Sequence, residues 1–176
     1  SNKPWPACRH SHPAIGVALK LKKIMKKEKL NIKDIKFIEI ETYKTAIEFC
    51  NKPVPKNEIE GKFSLQHCCA ISLKYEEIKE SYFEKYILNN TDIESLRKKI
   101  SVKSNTEMSI NFPKNYSAQI RIRFNNDEEL TQKSDHAKGD PENPMSEEEI
   151  CNKTLNLINA KIKNNNCNNL IEKILN

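Results

Sequence analysis

Ala14, Val17, Ala18, Leu21, Ile24 and Met25 recur at three- and four-residue spacing, which places them on one side of a helix. Lysines fill the other side, and Pro13 suits a first helical turn, where its missing N–H costs nothing. The pattern predicts a helix over residues 13–27. From Ile35 to Thr42 it changes to alternation, with Ile38 and Ile40 on one face and Glu39 and Glu41 on the other, which predicts a half-buried strand. A short helix over 45–50 then ends at the loop Asn51-Lys52-Pro53-Val54-Pro55. Phe63, Leu65, Cys68, Cys69, Ile71 and Leu73 predict an apolar helix over 62–75. Shorter helices are expected over 81–86 and 92–100, the second capped by Thr91 with Glu94 three residues on.

Strands are predicted over 100–104 and 117–124, where Ile120, Ile122 and Phe124 alternate with Arg121 and Arg123. The turn Asn125-Asn126-Asp127 leads to a returning strand over 129–136. A connector over 138–144 contains Gly139, placed where the chain turns back and a positive φ is needed. Ser146 and Glu149 form a second capping box, opening a helix to about residue 162. Asn164 to Asn166 break it, and a last short helix follows over 170–175. The order is α+β, a small, mainly antiparallel sheet packed with helices. The expected division is a domain over 1–145 and a C-terminal helical segment over 146–176.

Composition narrows the function classes. The 176 residues are 37% hydrophobic and 31% charged, and no apolar run approaches the roughly 20 residues that span a bilayer. The first residues lack the apolar core of a signal peptide, so a cytoplasmic location and no membrane partner are expected. Net charge is +6, densest at Lys20, Lys22, Lys23, Lys26, Lys27 and Lys29. Without a reader motif or interleaved aromatics these read as a solvated helix face, and no nucleic-acid partner is expected. The 6 cysteines contain no CxxC pair and read as free thiols. The chain has no Gly-rich phosphate loop and no G-x-S-x-G elbow. Cys8-x-His10-x-His12 is not a standard zinc spacing, so no metal is expected. Arg121 and Arg123 share a strand face and read as solvated. Asp135 and His136, adjacent on a strand, point to opposite faces, and His67 reads as an interior histidine.

Three segments carry a family resemblance. They are Lys3-Pro-Trp-Pro-Ala-Cys-Arg-His-Ser-His-Pro-Ala-Ile, then Asn51-Lys-Pro-Val-Pro with Lys62-Phe-Ser-Leu-Gln-His-Cys-Cys-Ala, then Asp135-His-Ala-Lys-Gly-Asp-Pro-Glu-Asn-Pro-Met-Ser. In this order they resemble the C-terminal domain of the MmgE/PrpD family, which includes 2-methylcitrate dehydratase, cis-aconitate decarboxylase and iminodisuccinate epimerase. His67 stands where that family usually has Tyr. The resemblance implies a lid-like domain and chemistry that removes a proton or CO₂ next to a carboxylate or imine, without metal or cofactor. Such chemistry needs cations for the carboxylates and a base tuned towards neutrality. It implies Lys3 as the catalytic residue, and Arg9, His10 and His12 as contacts of a small di- or tricarboxylate. Arg9 suits a bidentate carboxylate contact, and the histidines carry or donate protons near neutral pH. It also implies an all-helical N-terminal partner domain, without which this chain is expected to be inactive. The alternative is a non-catalytic binding module that reuses its apolar surface to form a homodimer.

Overall fold

The alternation of Ile35–Thr42 seats that segment, β1, inside a sheet. The computed structural model describes residues 2–161. Its sheet has the order β2-β1-β3-β4, where β2 is Ile100–Ser104, β3 is Ala118–Phe124 and β4 is Glu129–Ser134. β1 runs parallel to β2 and antiparallel to β3, and β4 closes on β3 as an antiparallel hairpin. The register sets Ile38 between Ile100 and Ile122, and Ile40 between Val102 and Ile120. One face of the sheet is therefore continuously apolar.

Two helices cover that face. α1 (His12–Lys27) packs on β3 and β4, while α4 (Leu65–Tyr75) packs beside α1 and against β2. Ala14, Val17, Ala18, Leu21 and Met25 are buried, and the lysines at 20, 23, 26, 27 and 29 are exposed. The charge of α1 thus lies on its solvated face. Beyond α1, the chain between β1 and β2 is entirely helical and irregular. It contains α2 (Lys44–Cys50), α3 (Glu58–Lys62), α4, α5 (Lys85–Leu88) and α6 (Thr91–Lys98). α7 (Thr106–Asn111) joins β2 to β3.

Several expected boundaries differ. The helix expected over 62–75 begins only at Leu65, because Lys62 ends α3 and the Ser64 side chain accepts the backbone N–H of His67 at 3.0 Å and starts α4 afresh. The segment over 81–86 divides between a 3₁₀ turn at Glu80–Phe83 and α5. Asn90, not Thr91, caps α6, accepting from Asp92 and Ile93. The Ser146–Glu149 capping box is present, with reciprocal bonds of 2.7 and 3.1 Å at the start of α8 (Glu147–Lys161). The Asn164–Asn166 break and the helix over 170–175 lie outside the described residues. Arg121 keeps a partly solvent-exposed side chain, as expected, and is also tied to Glu39 across the β1–β3 pair, with Lys103 of β2 holding the same carboxylate. The two cations hold the Glu39 carboxyl below its usual range despite its burial.

The chain divides into two compact units, Trp5–Ala137 and a unit formed by the described residues of Ser1–Pro4 and Lys138–Asn176. The first holds the sheet and α1 to α7. In the second, the Asn2 backbone N–H donates to the Gly139 carbonyl at 2.9 Å, and the Lys153 ammonium donates to the Lys3 carbonyl. Gly139 has φ +94°, and a Cβ there would lie 1.8 Å from the Asn2 carbonyl oxygen. Only glycine permits this approach. No helix among the described residues is long and apolar enough to cross a membrane.

Candidate functional site

Parallel pairing of β1 with β2 and antiparallel pairing with β3 brings three strand ends together. Thr42 sits in register with Ser104 on one side and Ala118 on the other. Two bonds fix this edge. Asn105 N–H donates to the Thr42 carbonyl at 2.8 Å, and the Thr42 hydroxyl donates to the Ser117 carbonyl at 2.8 Å. The chain leaving β1 supplies Tyr43 and, on α2, Phe49. The chain entering β3 supplies Phe112 and Tyr116. The carboxyl ends of parallel strands are where open sheets commonly place ligands.

His10 completes an aromatic cluster at this edge. It lies in the 3₁₀ turn Arg9–Ser11 that precedes α1, and the segment is held by Cys8 N–H donating to the Lys62 carbonyl at 2.9 Å. The imidazole stacks on Phe49 at 5.3 Å between centroids and on Tyr116 at 5.9 Å. Its Nδ1 is 2.8 Å from the Tyr43 hydroxyl. Tyr43 is fully buried and stacks on Phe112 at 4.5 Å. Arg9 lays its guanidinium over the Tyr116 ring, 4.5 Å from the centroid, a cation–π arrangement. Burial, reinforced by the neighbouring Arg9 charge, lowers the pKa of His10 and favours the neutral imidazole at pH 7. Burial raises the Tyr43 pKa, so its hydroxyl stays protonated.

The other sequence candidates are placed differently. His12 is fully buried at the start of α1, its Nε2 3.2 Å from the Ala7 carbonyl and its ring edge-on to Trp5 at 5.3 Å. These contacts fasten the leading segment to the helix. Lys3 is exposed and belongs to the second unit, its backbone bracketed by the Gly139 and Lys153 bonds. Cys8, His10 and His12 do not converge as ligands, and the described residues hold no group of three or more His, Cys, Asp or Glu side chains able to bind a metal ion. His67 is buried, as its interior reading expects.

The residues that sequence reasoning missed are Tyr43, Phe49, Phe112 and Tyr116. Aromatics make up only 7% of the chain, and these four follow no shared periodicity. Their only sequence signal is that Tyr43 follows a strongly alternating strand and that Phe112 and Tyr116 precede another.

Comparison with known proteins agrees with the fold. The chain is 27% identical over 109 residues to a protein of Saccharomyces cerevisiae (strain ATCC 204508 / S288c) described as a probable 2-methylcitrate dehydratase. That match covers 61% of this chain and 21% of the yeast protein, so the chain spans about a fifth of its relative's length. Residues 5–176 match the family model described as the MmgE/PrpD C-terminal domain, and the chain therefore belongs to the MmgE/PrpD family.

Proposed function

We propose that this domain caps and binds a small di- or tricarboxylate in an MmgE/PrpD lyase or epimerase of the 2-methylcitrate dehydratase type. The observation that carries the reading is the pairing of Arg9 and His10 on one aromatic platform at the sheet edge. A guanidinium forks onto a carboxylate with two parallel hydrogen bonds, and a neutral imidazole beside it donates a third. The aromatic rings limit water around them, which strengthens both contacts. His12, having no exposed surface, supports the Arg9–His10 turn in this reading rather than touching the substrate. Lys3 enters as the base from the sequence resemblance alone. An all-helical partner domain supplies the remaining acid and base groups, so the isolated chain binds but does not turn over.

A thermal-shift panel of citrate, 2-methylcitrate, succinate and acetate, at matched ionic strength, tests the binding. The tricarboxylates are expected to raise Tm most, and Arg9→Ala to abolish the rise. No rise with any carboxylate, or a rise unchanged in an Arg9→Ala/His10→Ala double variant, overturns it. Lys3→Ala is assayed for turnover in the presence of the helical domain, where a loss of activity with retained binding supports the base.

A second reading, a dimerisation module, draws on the exposed apolar side chains Val54, Ile59 and Ile110, each at least 72% exposed. A rise in molar mass with concentration, without any carboxylate response, supports that reading instead.

A further inference from the structure

We propose that Tyr43 is the positioning residue of the carboxylate site: its hydroxyl donates to His10 Nδ1, fixes the Nε2–H tautomer and leaves that N–H as the imidazole's donor to substrate. The inference rests on the carboxylate reading of Arg9 and His10. It names a residue, from a different part of the chain, that decides what His10 can do.

The geometry leaves His10 little freedom. Its ring is stacked with Phe49, nearly coplanar at 9°, and with Tyr116 at 24°. One nitrogen is occupied by Tyr43 at 2.8 Å. A neutral imidazole has one donor and one acceptor nitrogen. A protonated phenol donating to Nδ1 makes that nitrogen the acceptor and places the proton on Nε2. Tyr43 cannot swing away, because it has no exposed surface and is stacked on Phe112 with its edge against Tyr116. The ring of Tyr43 therefore acts as a fixed post: its oxygen sets the orientation of His10, and donation from its hydroxyl sets the tautomer. The opposite tautomer would offer the substrate carboxylate a lone pair instead of a donor and would repel it.

Long-range ¹H–¹⁵N spectra of the full ¹⁵N-labelled chain read the tautomer directly. The Nε2–H pattern is expected for His10 at pH 7.5. In Tyr43→Phe the pattern should shift towards a mixture of tautomers, and citrate affinity should fall about fivefold, the effect of losing one hydrogen bond's organisation. An Nδ1–H pattern in the wild-type protein overturns the proposal without needing any variant to fold. An unchanged tautomer in a folded Tyr43→Phe protein overturns it equally. If the wild-type tautomer is Nε2–H but citrate moves no His10 resonance, the carboxylate reading fails while the Tyr43–His10 assignment stands.

Discussion

Arg97 donates to His67: Nη1 of the guanidinium lies 3.2 Å from the imidazole Nδ1, with both side chains buried. His67 Nε2 is 2.9 Å from the Tyr82 carbonyl, so the ring is neutral, accepting at Nδ1 and donating at Nε2. Burial lowers the His67 pKa from 6.5 to about 4, against a smaller opposing effect of the Tyr82 carbonyl, with Arg97 adding to the fall. The folded state thus binds fewer protons than the unfolded chain between these values. Stability is fully present above about pH 6.5 and declines as pH falls towards 4, by on the order of 3 kcal/mol from this group. Urea denaturation at pH 7.5, 6 and 5 should show the decline, and His67→Gln should flatten it.

Arg97 also donates to the Leu88 carbonyl at 2.9 Å. It is a buried cation whose described contacts include no carboxylate ion pair. Arg97→Ala leaves two buried acceptors unsatisfied and a cavity, with an expected cost of about 3 kcal/mol. Arg97→Met fills the volume and removes the charge, and should cost less than Arg97→Ala. Denaturant midpoints of the two variants decide the order.

Gly139→Ala puts a Cβ into the Asn2 carbonyl at a positive φ. The expected result is release of residues 2–4 at a cost of about 2 kcal/mol or more to that unit. Hydrogen exchange should show the Asn2 amide losing protection while Ile38 and Ile122, in the sheet, keep theirs.

Cys68 and Cys69 are fully buried on α4. Burial pushes the Cys68 thiol up to about 12 and the Cys69 thiol higher still. Neither forms the reactive thiolate near neutral pH. Iodoacetamide at pH 8 should label half-exposed Cys151 in the native protein and reach Cys68 and Cys69 only after unfolding, as read by peptide mass spectrometry.

Features set by local pattern were legible before the structure. The α1 stripe, the alternation of β1 and β3, and the Ser146–Glu149 box each depend on neighbours within a few residues, so spacing alone reveals them. α7 was not foreseen, because Thr106–Asn111 is too short to show a period and depends on the Asn105 side chain accepting from Met108 N–H. The Ser64 break was hidden because apolar residues continue across it. At the candidate site, Arg9 and His10 were readable from a motif, whereas Tyr43 and Tyr116 join them only through strand pairing. The Arg121 ion pair was hidden for the same reason: its partner, Glu39, belongs to another strand.

The meeting of Thr42, Ser104 and Ala118 at one sheet end carries a consequence for assembly. Side chains from positions 10, 43, 49, 112 and 116 become neighbours only when three strands have locked in their proper alignment. A slip of one residue between β1 and β3 would turn their apolar rows outward and scatter the rings around His10. The imidazole's signal is thus a built-in gauge of whether the whole scaffold has zipped correctly, and damage to a distant strand should be audible there first.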